Sequence, residues 1–139
     1  MRNAFFSGLT CGPVRKRPDG PVERVVAAGG NDGENVLSTT EIYDLATDSW
    51  SKGTPLPLAL YGAAVVPFET TFLVVGGYTG EGFSDKVFLY ETTGEWSEQL
   101  HMTLSQPRWG VAAMLVPSSL LDHIGPELPE DDPDRRPQW

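Results

Sequence analysis

The stretch "VVAAGGNDG", residues 25–33, runs four apolar residues into a glycine pair and then into a polar loop. A dinucleotide-binding enzyme can begin this way, its glycines bringing backbone close to a pyrophosphate. So can a β-sheet repeat, whose glycines let a strand turn. The first needs the order Gly-x-Gly-x-x-Gly and then a helix whose N-terminus faces the phosphates. Here "GGNDGE" lacks that order, and "NVLSTTEIYDL" behind it reads as a strand. No Gly-Lys-Ser/Thr occurs, so a Walker-type loop fails too.

The stretch also occurs twice. Residues 72–80 read "FLVVGGYTG", and Gly29-Gly30 and Gly76-Gly77 lie 47 positions apart (29 to 76). Gly33 and Gly80 keep that offset, as do Tyr43 and Tyr90; Trp50 and Trp96 are 46 apart, Gly62 and Gly110 48 apart. The slips fall in turns, where "YDLATDSW" becomes "YETTGEW"; a slip inside a core strand would swap its faces. A period near 47 residues lies in the range of repeats that build propellers. Each unit offers a small-residue apolar run ("YGAAVVP", "WGVAAMLVP"), a run ending in the glycine pair, a strand around the Tyr, and a short piece around the Trp. That makes four strands per unit. Residues 25–28 and 72–75 do not alternate with polar residues, so both faces of these strands are expected to be buried, as in a sheet stacked between copies of itself.

These residues resemble the kelch repeat: an apolar strand ending in Gly-Gly, a Tyr-Asp pair, then a Trp. The matching positions are Gly29, Gly30, Tyr43, Asp44 and Trp50, then Gly76, Gly77, Tyr90, Glu91 and Trp96, with Glu91 departing from the usual Asp. The resemblance implies an all-β fold, an incomplete kelch-type β-propeller of four-stranded antiparallel blades, each with its first strand innermost and its Trp-bearing strand outermost. It implies that the Tyr and Trp side chains pack between neighbouring blades.

The expected organisation is a lead-in over residues 1–7, a first repeat over 8–54 whose first strand ("SGLTCGPVRK") is weakly marked, and a second over 55–104. Residues 105–117 read as the first strand of a third, unfinished repeat. Residues 118–139 read as a Pro-rich acidic tail, disordered apart from at most a helical turn at 119–123. Propellers close with four to eight blades. The chain therefore reads as a fragment, or as one that completes a ring with other copies or another protein.

Composition narrows the function. Fifteen Gly and 12 Pro in 139 residues suit short strands and turns, and 40% hydrophobic residues suffice for a core. A net charge of −9, with Arg15-Lys16-Arg17 as the one basic cluster, argues against a nucleic-acid partner. The opening apolar stretch is too short for a signal peptide or a membrane span, which makes a cytoplasmic, non-membrane protein the expectation. One cysteine, Cys11, and two unrelated histidines, His101 and His123, supply neither a metal site nor a nucleophilic triad. The carboxylates of "NDGEN" do not follow the EF-hand spacing. No cofactor, metal or catalytic residue is expected.

The reading that remains is a non-enzymatic protein-interaction module. The resemblance implies docking on two loop sets at one end of the blades, residues 31–38 and 78–84 and the blade-linking residues 51–60 and 97–108. Asn31, Asp32, Glu34, Tyr78, Glu81, Phe83, Glu98 and Arg108 are the candidate contacts, acidic enough for a basic or polar peptide, with aromatic and Arg anchors. The family's uses suggest substrate recognition for a ubiquitin ligase, whose adaptors carry a separate BTB domain, or actin binding. The alternative is a fragment of a kelch-like propeller enzyme or carbohydrate-active protein whose catalytic residues lie outside this chain; the Tyr, His and Cys copper ligands of galactose oxidase find no match here.

Overall fold

The computed structural model describes residues 8–110 and 112–114. Two four-stranded sheets hold β1 (Thr10–Arg15), β2 (Val22–Ala28), β3 (Thr40–Asp44) and β4 (Ser49–Lys52), then β5 (Ala64–Phe68), β6 (Thr71–Val75), β7 (Val87–Tyr90) and β8 (Trp96–Glu98). Strand order follows the sequence in both sheets, and every pair is antiparallel. The weakly marked first strand of the first repeat is therefore formed, as β1. It lies against β5 and β6, which makes the opening strand of a unit the inner one and the Trp-bearing strand the outer edge. Pro13 and Pro67 sit in β1 and β5, edge strands on which a missing N–H is tolerated.

The two units share one register. Val25 pairs with Tyr43 and Tyr43 with Trp50, as Phe72 pairs with Tyr90 and Tyr90 with Trp96. Each sheet thus carries an aromatic row on the same face. In the second sheet that face packs on the first: Phe72, Val74, Phe88 and Tyr90 meet Val14, Val26 and Ala28, with Leu56 and Leu60 of the linker closing the top. Phe72 stacks on Tyr90 at 5.5 Å, and Trp96 meets both rings edge-on. The indole N–H of Trp96 donates to the carbonyl of Thr54 at 3.0 Å, tying the outer edge of the second sheet to the linker. Backbone bonds join the sheets farther in, from Arg15 N–H to Thr70 O and from Gly62 N–H to Gly8 O, each 2.8 Å.

The aromatic row of the first sheet has no such cover among the described residues. Trp50 is 55% exposed, and Tyr43, at 5.2 Å, is its one aromatic partner among the described residues. The face carrying Trp50 looks away from the second sheet, so the expected neighbouring blade on that side is not among the described residues. Val25 and Ala27 of β2, on that open face, are only half-buried.

The glycine pairs do what the turn chemistry requires. Gly29 and Gly76 have φ of 70° and 68°, and a Cβ there would come within 2.4 Å of the Leu60 carbonyl and 2.7 Å of the Arg108 carbonyl. What crowds each strand end is the linker that returns to start the next unit.

The expected opening strand of a third repeat divides in two. Gly110 N–H donates to Gly62 O at 2.9 Å, as Gly62 does to Gly8, so the entry to the next unit is in place. Trp109 and Gly110 nonetheless lie in a bend, and residues 112–114 are not in a strand. The expected strand is not formed at residues 109, 110 and 112–114: β1 and β5 are held by β2 and β6, and no second strand pairs here among the described residues. Val111 and the remainder of that stretch, the lead-in 1–7 and the tail 118–139 lie outside the described residues. A 3-10 turn, Leu100–Met102, is the one helical piece among those described.

One contrast between the repeats tests the packing. The Tyr43 hydroxyl donates to Asp48, which holds the phenol proton and raises its pKa. The shortened loop of the second repeat offers Tyr90 no such acceptor. Its hydroxyl is buried without a partner among the described residues, and burial pushes its pKa up. Tyr90→Phe is expected to raise stability by about 1 kcal/mol, because a buried unpaired hydroxyl is removed and the ring is kept. Tyr43→Phe is expected to lower it slightly, since an exposed hydrogen bond is lost. Urea melts followed by circular dichroism check the opposite signs; a clear loss for Tyr90→Phe contradicts the packing.

Candidate functional site

Antiparallel order brings the two loop sets to one end of the sheets. Residues 31–36 form a hairpin closed by a bridge between Asn31 and Val36, and residues 78–83 form its counterpart, closed between Tyr78 and Phe83. In the first, Asn31 Oδ1 accepts from Gly33 N–H, and Asp32 Oδ1 accepts from the N–H groups of Glu34 and Asn35 at 3.0 and 2.8 Å. Those backbone donors, Asn35 first, hold the Asp32 carboxyl below its usual pKa. In the second, Thr79 Oγ1 plays the same part, accepting from Glu81 and Gly82 N–H groups. Asn31, Asp32 and Thr79 therefore build the turns, which is ordinary Asx and Ser/Thr turn chemistry. No group of three metal-ligating side chains is found among the described residues.

Between the two hairpins lies a cleft of about 480 Å³, walled by residues 31 and 34–36 on one side and 78–81 on the other. Glu34, Tyr78 and Glu81 from the sequence reading line it, together with Asn31. Asp32 stands behind it in the turn. Glu98 does not belong to it: it ends β8 and pairs with Lys86, just before β7. Arg108 sits where the linker meets the glycine pair, its N–H donating to Ser84 O and its carbonyl accepting from Gly77 N–H, with its side chain exposed.

The linkers add two residues that the sequence reading left out. Tyr61 and Tyr78 exchange both backbone hydrogen bonds, at 2.9 and 2.8 Å, which pins the linker to the second hairpin. From there an aromatic row runs outward: Tyr61 stacks on Trp109 at 6.0 Å, Trp109 on Phe83 at 6.3 Å, and Phe83 meets Tyr78 at 5.7 Å. The Trp109 and Phe83 rings are within 4° of parallel, and both are about half exposed, 50% and 53%. Their repeat positions held the signal: Tyr61 and Trp109 each precede the glycine of the small-residue run.

A second cleft, about 410 Å³, opens between residues 22–24 and 44–46 at the opposite end, where Leu45 is 47% exposed. Near it Lys16 pairs with Glu23 at 3.2 Å and the Arg15 guanidinium donates to Gly20 O, which spends part of the basic cluster on its own turn.

Two antiparallel four-stranded sheets in sequence order, stacked face on face with the inner strands touching, are blades of a β-propeller. Residues 23–57 of the chain match the Kelch motif, which together with the two stacked sheets supports a partial kelch-repeat array. Over 76 residues, 53% of its length and 13% of the relative's, it is 36% identical to Kelch-like protein 35 of Mus musculus. Over 92 residues, 66% of its length and 13% of the relative's, it is 29% identical to Kelch-like protein 4 of Homo sapiens. A kelch repeat and BTB domain-containing protein of Caenorhabditis elegans is 25% identical over 92 residues, 66% of this chain and 16% of that protein. The chain thus spans a small share, 13–16%, of the length of these curated relatives.

Proposed function

We propose that this array is a non-enzymatic protein-recognition element, and that it docks its partner on the end formed by the two hairpins and the blade-linking loops. The observation that carries this reading is the convergence at that end of an open cleft and exposed aromatic side chains on turns held by their own backbone and side-chain bonds. Rigid sheets supply the scaffold and loops the contacts, the usual division of labour in recognition. The finer role is substrate recognition within a longer ubiquitin-ligase adaptor. It is supported by the BTB domain that gives one relative its name and by the small share of each relative that the chain covers.

The test is positional. A photo-crosslinking amino acid is placed at Glu81 or Phe83 on the proposed end, and at Leu45 or Glu69 on the opposite end. Crosslinks to one and the same protein, formed from Glu81 and Phe83 and absent from Leu45 and Glu69, are the expected result. Crosslinks concentrated at Leu45 and Glu69 overturn the reading. Co-purification of a BTB-bearing longer form with a cullin tests the adaptor role; a longer form that carries a secretion leader and metal ligands contradicts it.

A further inference from the structure

We infer that the aromatic row of Trp109, Phe83 and Tyr78, with Glu34 and Glu81 at its cleft end, receives an arginine side chain of a partner peptide. This rests on the docking end proposed above and names the chemistry of its ligand. Three observations carry it. Trp109 and Phe83 are half exposed, while the aromatic side chains that hold the sheets together, Phe72 and Tyr90, are fully buried. Their parallel rings therefore form a surface platform outside the inter-sheet core. The row then leads into the cleft through Tyr78, which both contacts Phe83 and lines the cleft wall.

The carboxylates supply the third. Asp32 is occupied by its turn and Glu98 by Lys86, whereas Glu34 and Glu81 make no ion pair or side-chain hydrogen bond among the described residues. A planar cation matches both halves of such a surface. A guanidinium stacks flat on an aromatic face and still presents donors at its edge to carboxylates. An ammonium is compact and more strongly hydrated, so it gains less from a flat ring. Arg108, the cation of the linker, occupies no ring face among the described residues, and the net charge of −9 favours approach of a basic segment.

The test titrates the full 139-residue chain with a fluorescent Gly/Ser peptide bearing two arginines, beside twins in which both are lysine or the neutral isostere citrulline. The arginine peptide is expected to bind roughly tenfold tighter than the citrulline twin and several-fold tighter than the lysine twin. Trp109→Ala and Phe83→Ala, each checked for folding by circular dichroism, are expected to erase most of that difference. Glu34→Gln with Glu81→Gln is expected to weaken arginine binding and flatten its salt dependence. Equal binding of the citrulline twin, or unchanged affinity in both Trp109→Ala and Phe83→Ala, overturns the inference. Either result leaves the docking end standing if Glu81 and Phe83 still crosslink to a partner; crosslinks from Leu45 and Glu69 instead remove the docking end itself.

Discussion

Trp96→Ala will lower the unfolding free energy of this chain by about 3 kcal/mol, while Trp50→Ala will cost less than about 1 kcal/mol. The two tryptophans hold the same place in their repeats, each paired across strands with a tyrosine. Their surroundings differ. Trp96 packs edge-on against Phe72 and Tyr90, at 5.9 and 4.9 Å, and donates to Thr54 O in the other unit's linker. Its removal opens a cavity between the sheets and leaves a carbonyl without its donor. Trp50 loses little beyond its contact with Tyr43, since 55% of it is already in water. Urea melts followed by far-UV circular dichroism measure both. A Trp96→Ala chain already unfolded in buffer beside a folded Trp50→Ala chain carries the same meaning. Equal losses would contradict the one-sided packing, and would be expected only where another blade covers the Trp50 face.

That asymmetry marks how far the sequence can be read. The twin sheets, their strand order and the glycine pairs were legible because repetition compares each residue with its counterpart: Gly29 with Gly76, Tyr43 with Tyr90. Repetition is blind to neighbours, however. It gives Trp50 and Trp96 equal standing, whereas burial depends on what lies against each face. The same limit hid half of the proposed docking end. Glu34, Tyr78 and Glu81 were legible as loop residues after a glycine pair. Tyr61 and Trp109 were not, because they begin units in the strand pattern and reach the hairpin only through backbone pairing with Tyr78 and stacking on Phe83. Glu98 was misplaced for a related reason: a loop by sequence, it is paired with Lys86 as the last residue of β8. Gly12 escaped altogether. It follows Cys11 in a stretch without a doublet, and its importance comes from a side chain 60 positions away (12 to 72).

Gly12→Ala is the second substitution expected to have a large effect, a loss of about 1–3 kcal/mol from a single added methyl group. A Cβ on Gly12 would lie 2.1–2.4 Å from the ring atoms of Phe72, closer than carbon atoms can approach without movement. The ring cannot turn aside cheaply, because Tyr90 stacks on it and Trp96 closes its edge. β1 cannot withdraw cheaply either, since Arg15 N–H is bonded to Thr70 O and Gly8 O to Gly62 N–H, one tie near each end of the strand. The strain must therefore open the contact between the sheets. Gly82→Ala is the control: it lies in the hairpin of residues 78–83, no atom stands within 4 Å of its Cβ position, and its effect should stay within about 0.5 kcal/mol. A double mutant separates overpacking from a backbone cause. Phe72→Leu frees the space that the new methyl needs, so Gly12→Ala should cost clearly less in that background than alone. If its cost is the same with Leu at position 72, the clash between Gly12 and Phe72 is not what joins the two blades.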